Sequence, residues 1–129
     1  MTHEPDENPT STVHAWIQAF NNADPQSILA LYAPEAVLWG TFATELTKSR
    51  AGLAHYFQQA LQGTPAPKVE LESVFIQHLG EVAVASGSYL LQLNLPSGRS
   101  SLPARYTFVL TRAAGAWLIA SHHSSLRPG

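Results

Sequence analysis

After the segment TPAP at residues 64–67, the spacing of apolar residues changes from helical to alternating and stays alternating almost to the end of the chain. That switch limits the fold more than any other feature. A period of two puts successive side chains on opposite faces of a strand and does not sit on a helix. It predicts four long strands at about 68–78, 81–95, 99–112 and 116–125, with Leu79-Gly80, Pro96-Ser97-Gly98 and Ala114-Gly115 as turns. Turns this short join antiparallel neighbours, so these strands form a meander.

The first half of the chain reads differently. Residues 1–9, MTHEPDENP, are polar, contain two prolines and have no period, which predicts a flexible tail followed by a single domain over 10–129. From Thr10, Val13, Trp16, Ile17 and Phe20 fall on one helical stripe that Asn21-Asn22 ends. Asp24-Pro25 marks the start of a short helix, with Ile28, Leu29 and Tyr32 on its buried side and Pro34 as its stop. A first strand is expected around Ala36–Thr41, with Val37, Trp39 and Thr41 sharing a face. Ser49 caps a third helix in which Leu53, Tyr56, Phe57, Ala60 and Leu61 repeat the stripe and which Gly63 closes. Helices followed by a meander make an α+β domain with the helices packed on one sheet face.

Composition narrows the function classes. Seven Lys and Arg stand against nine Asp and Glu, with no basic stripe of the kind a nucleic-acid binder shows. No apolar run approaches a membrane span, no secretory leader pattern is present, and there is no cysteine for disulfides, thiolate metal sites or nucleophiles. The expectation is a soluble, cytoplasmic protein with no nucleic-acid or membrane partner and no cofactor. Charged residues are only 12% of the chain, where ordinary soluble domains carry about 25%. A small domain so poor in charge tends to associate, and a homodimer or higher homo-oligomer is expected.

Particular stretches carry a family resemblance. WIQAFNNADPQSILALYAPEAVLWGT is similar to the opening of the nuclear transport factor 2-like superfamily. HYFQQAL, the strand RYTFVLTR and the ending GAWLIASHHSSLRP resemble its branch related to the association domain of calcium/calmodulin-dependent kinase II and its stand-alone SnoaL-like bacterial relatives. The resemblance covers about residues 12–128. It implies a cone-shaped fold, a curved, mainly antiparallel sheet wrapped around a helix, with a deep pocket and pairing through the outer sheet face. Members include isomerases, dehydratases and polyketide cyclases as well as assembly modules, so the fold alone leaves activity open.

The candidate site follows from strand faces. Ala104, Tyr106, Phe108 and Leu110 share one face of their strand, with Arg105, Thr107, Val109 and Thr111 on the other. Matching the first face to the association domain puts Leu118, His122 and Ser124 inward, and Trp117, Ile119, Ser121 and His123 outward; a single bulge would reverse this downstream of itself. The resulting ligand-binding candidates are Trp39, Thr41, Tyr56, Arg105, Tyr106, Phe108, His122 and Ser124. Arg105 is either a carboxylate clamp at the pocket mouth or a structural and interface residue. Adjacent His122 and His123 point to opposite faces and do not make a metal site. Asp6 and Asp24 are the only aspartates, and Glu45 is the one carboxylate considered for the pocket rim. The expectation is a pocket for a small apolar or anionic ligand without a clear catalytic set. The alternative is a cofactor-free lyase, isomerase or cyclase-like enzyme using His122 as general base. The small residues Ala83, Ala85 and Gly87, together with Trp117 and Ile119, are expected to form the dimer face.

Overall fold

Two Asx-Pro steps start the first two helices. In the computed structural model, which describes residues 8–129, the Asn8 side chain accepts from the Thr10 amide at 2.9 Å, and Pro9 opens α1 (Pro9–Asn21). Asp24 caps α2 (Pro25–Leu29) by accepting from the Ser27 amide at 3.2 Å and the Ser27 hydroxyl at 2.7 Å. Proline is favoured at this position because its missing N–H would have no helical partner anyway. The helix thus claims Asn8 and Pro9 from the expected tail; the tail's remaining residues, 1–7, lie outside the described part.

The chain leaves α2 earlier than expected. β1 spans Tyr32–Trp39 and runs through Pro34, which reads in the sequence as a helix stop. The sheet order β1-β5-β4-β3-β2 explains this, since β1 is an edge strand, where a missing N–H is tolerated. It also changes the faces. Tyr32, Ala36 and Leu38 are buried, while Trp39 is 41% exposed. Ser49 caps α3 (Arg50–Ala60) by accepting from the Gly52 amide at 3.0 Å.

The remaining strands are β2 (Lys68–Leu79), β3 (Val82–Leu95), β4 (Gly98–Ala113) and β5 (Ala116–Leu126). Neighbours are antiparallel except β1 and β5, which are parallel. Two bulges decide which side chains face the helices. On β5, Ile119 pairs with Leu110 and Ser121 with Val109, so Ala120 is extra and the alternation flips there. Trp117 and Ile119 are therefore buried before the bulge, and His122 and Ser124 after it. The inward expectation for His122 and Ser124 agrees with the structure. The outward one for Trp117 and Ile119 is overturned, and Leu118 lies on the opposite face from these buried residues. On β2, the register slips between Leu71 and Ser73, opposite Tyr89 and Ser88 of β3.

The supposed dimer face is also the core. Ala83 and Ala85 are fully buried, with Tyr89 and Leu91 beside them on the face that meets α1. Their small size lets the helix approach the sheet. Gly87 serves a different purpose: a Cβ there would run into the Ser73 carbonyl and the Tyr106 hydroxyl at the β2 bulge. Trp16 of α1 lies at the centre of the core, 5.1 Å from the Phe20 ring, 6.0 Å from Tyr89 and 5.8 Å from Phe108. No helix among the described residues is long and apolar enough to cross a membrane.

Candidate functional site

The helices do not fill the inner face of the sheet completely. A cavity of about 150 Å³ remains between α1, α3, the end of β1 and the inner faces of β3 and β5. Its walls are Trp16, Phe20, Leu38, Phe57, Val69, Leu91 and Leu93, with Phe42 at 59% exposure marking the mouth. Its polar atoms come from Thr41, Tyr56, Tyr89, His122 and Ser124. Gly40 belongs to the lining because Tyr56 lies across its backbone, where a side chain would meet the ring and hydroxyl.

Four of the expected ligand-binding residues line this cavity: Thr41, Tyr56, His122 and Ser124. Tyr106 and Phe108 share the inner face as expected but sit behind the wall. Phe108 packs against the His122 ring at 4.4 Å, and Tyr106 stacks on Tyr89 at 5.4 Å and donates to the Ser73 carbonyl at 3.0 Å. Two candidates are on the wrong side of the sheet. Trp39 is turned outward by the true phase of β1. Arg105 is exposed on the outer face of β4 beside Thr107 and His123, so it cannot clamp a carboxylate in the cavity. Glu45 is exposed and is not part of the lining.

Two hydrogen-bond chains organise the polar atoms. In one, Ser124 Oγ lies 2.7 Å from Thr41 Oγ1 and 2.8 Å from Tyr89 Oη, so Ser124 links three hydroxyls. In the other, the Trp16 indole N–H donates to Tyr32 Oη at 3.0 Å, and Tyr32 Oη lies 2.7 Å from His122 Nδ1. The second chain ends abruptly, since His122 Nε2 is buried with no partner among the described residues. Sequence reasoning missed Tyr32 as the partner of His122, because two residues that far apart show no common pattern until β1 and β5 pair.

Burial tunes every titratable group at the site away from neutrality. Desolvation, with a smaller contribution from neighbouring His123, pushes the His122 pKa down to about 3. Desolvation raises Tyr89 to about 12, against the opposing hydrogen bond from Ser124. It raises Tyr56 too, against a hydrogen bond with the Thr41 backbone. Among the described residues, no group of His, Asp and Glu side chains is gathered to hold a metal ion.

A family model described as a SnoaL-like domain matches residues 10–128. The chain belongs to the SnoaL-like family. Its fold is the nuclear transport factor 2-like, or cystatin-like, α+β fold. Among solved structures, this SnoaL-like chain is similar to a Xanthomonas campestris protein assigned as a calcium/calmodulin-dependent protein kinase II association domain. Identity is 34%, coverage is 98% of this chain and 94% of that one, and the TM-score is 0.80. The calcium/calmodulin-dependent protein kinase II hub of S. rosetta matches at 17% identity over 98% of this chain and all 100% of its own, with a TM-score of 0.83. A ketosteroid isomerase-like protein from Erwinia carotovora matches at 18% identity over 99% and 100% of the two chains, with a TM-score of 0.76. The last two show the fold alone. No curated protein matches the chain.

Proposed function

We propose that this SnoaL-like chain is a homo-oligomeric domain whose cavity holds a small, mainly apolar molecule, and that it works as a ligand-binding or assembly module. One observation carries this reading: the cavity is walled by aromatic and aliphatic side chains, with a few hydroxyls and one histidine, and among the described residues no Asp, Glu, Lys or Arg lines it. A few fixed polar groups in an apolar enclosure suit recognition of such a molecule. Carboxylate-based proton transfer has no candidate residue in this lining. A thermal-shift screen of single-ring compounds tests the pocket, with Ala60→Trp as a variant whose larger side chain fills the space. Compounds that stabilise the wild type should lose their effect in Ala60→Trp. Equal stabilisation of both proteins would place binding elsewhere and refute the reading.

Self-association rests on the outer sheet face and on the similarity to association-domain proteins. Across all five strands, Trp39, His123, Thr107, Ser86 and Phe75 form one continuous cross-strand row. Its middle is small and polar, while its two ends are aromatic, with Phe75 exposed at 68%. An exposed row that crosses every strand and ends in apolar rings can meet its own copy about a two-fold axis. Thr107→Arg, at the centre of the row, should convert the oligomer to a folded monomer in sedimentation velocity. A wild-type protein that sediments as a monomer at micromolar concentration refutes this part.

A further inference from the structure

The end of the Trp16–Tyr32–His122 chain fixes the chemistry of what the cavity can accept. The indole N–H of Trp16 can only donate, so it occupies one lone pair of the Tyr32 oxygen. The 2.7 Å contact between Tyr32 and His122 Nδ1 then has two possible directions. If Nδ1 carried the proton and donated to Tyr32, the Tyr32 hydroxyl proton would have no acceptor, and Nε2 would be a second unmatched atom. Tyr32 is 2% exposed, so water does not relieve it. If Tyr32 donates to Nδ1, every atom of the chain is matched except the proton on Nε2. Each buried unmatched polar group costs about 1–3 kcal/mol, so the second arrangement wins. A neutral ring is required for it, and the low basicity of the buried imidazole keeps it neutral at ordinary pH.

His122 therefore presents one unpaired N–H donor in a cavity it lines, while the Thr41, Ser124 and Tyr89 hydroxyls are engaged with one another. A ligand oxygen that accepts from Nε2–H reproduces the hydrogen bond of any water it displaces there. A carboxylate is unsuited, since no cationic side chain lines the cavity to offset its desolvation. A volume of about 150 Å³ is that of an engineered apolar cavity that takes benzene, which sets the size at a single ring. We propose that the cavity selects an uncharged, single-ring-sized ligand bearing a carbonyl-type acceptor oxygen, which receives the Nε2–H of His122. This rests on the ligand-binding reading and narrows its apolar-or-anionic ligand to the uncharged class. Tyr32 is the positioning residue, holding the ring in the donor tautomer.

The test uses acetophenone, ethylbenzene and benzoate as probes of the full chain, with histidine-ring ¹⁵N NMR and titration calorimetry. The unliganded His122 ring should show protonated Nε2 and unprotonated Nδ1. Acetophenone should bind about tenfold more tightly than ethylbenzene and move the Nε2–H resonance, and benzoate should bind most weakly. His122→Asn keeps an acceptor for Tyr32 and removes the donor at the Nε2 position, its shorter amide ending at the level of the ring's Nδ1 and Cδ2, so it should abolish the acetophenone preference while ethylbenzene affinity holds. Tyr32→Phe should release the ring into a mixture of tautomers, a result that loss of packing alone does not produce. Equal binding of acetophenone and ethylbenzene, or a protonated Nδ1 in the wild type, overturns this proposal and leaves the pocket reading standing. Tightest binding by benzoate overturns it in favour of an anion site. No binding by any probe overturns both readings.

Discussion

Lowering the pH should unfold this protein through His122. In the unfolded chain the imidazole takes up a proton near its ordinary pKa of 6.5, whereas in the folded chain it does so only at about 3. Between those values the unfolded state binds one more proton, so stability falls as the solution is acidified. The contribution is fully present above about pH 6.5 and is lost progressively toward pH 3. The drop from 6.5 to about 3 corresponds to about 5 kcal/mol, with a limiting slope of about 1.4 kcal/mol per pH unit. A domain of this size has only about 5–15 kcal/mol of total stability, so one buried ring can account for much of its acid sensitivity. The Asp24 cap adds its loss between its ordinary value of 3.8 and its lowered folded value, so the window from pH 6 to 4.5 lies above it. Urea denaturation followed by tryptophan fluorescence at pH 7, 6, 5 and 4.5 measures the slope. His122→Asn has no ring to titrate and should be nearly flat over the same range. If the wild-type slope stays below about 0.4 kcal/mol per unit, or the variant matches the wild type, the ring is not held neutral by burial and the argument fails.

Trp16→Ala should cost about 3–5 kcal/mol, the range for truncating a buried aromatic, and a denaturant midpoint that barely moves would show the ring is not packed between helix and sheet. Gly87→Ala should destabilise by about 1–3 kcal/mol, because the β2 bulge leaves no room for a methyl group; unchanged thermal stability would mean the bulge shifts freely. Asn8→Ala should cost about 1 kcal/mol through loss of the α1 cap, and Asn8→Asp should restore it, both read from urea midpoints.

The fold was legible in the sequence because its longest signals are strong. The period-two run after TPAP and the stripe from Val13 to Phe20 each persist over several repeats, and Ser49 and Asp24 are conventional caps that appear where expected. Asn8-Pro9 carries the same cap signal as Asp24-Pro25, but it sits at the end of a polar, aperiodic stretch that reads as tail. The errors at the site have one physical origin, the parity of alternation. A single extra residue at Ala120 sends Trp117 and Ile119 inward, and the early start of β1 sends Trp39 outward. Bulges have no sequence signature in this chain comparable to a Gly turn, so face assignments hold only between them. Small residues were ambiguous for a similar reason: Ala83 and Ala85 permit close approach, and composition does not say whether a helix or a second sheet approaches.

The same burial that makes His122 visible as a candidate base deprives it of that role. A general base works best with a pKa near the operating pH, and it needs a free lone pair directed at the substrate. His122 has a pKa near 3, its Nδ1 is engaged by Tyr32, and its Nε2 bears the proton under the assignment argued above. A carboxylate beside the ring would raise its basicity and fix the opposite tautomer, but the chain has no Asp after residue 24 and no glutamate among the described residues lines the cavity. What is left is a neutral N–H held rigidly in an apolar enclosure. Such a group can orient and polarise a carbonyl oxygen, as neutral imidazoles do in some isomerases. Removing a proton from the bound molecule is a separate task, and the tyrosines of the lining, with pKa values raised by burial, are protonated at neutral pH and cannot do it. On the function proposed here, the cavity binds selectively without a base of its own. Turnover would require a base delivered from outside this lining.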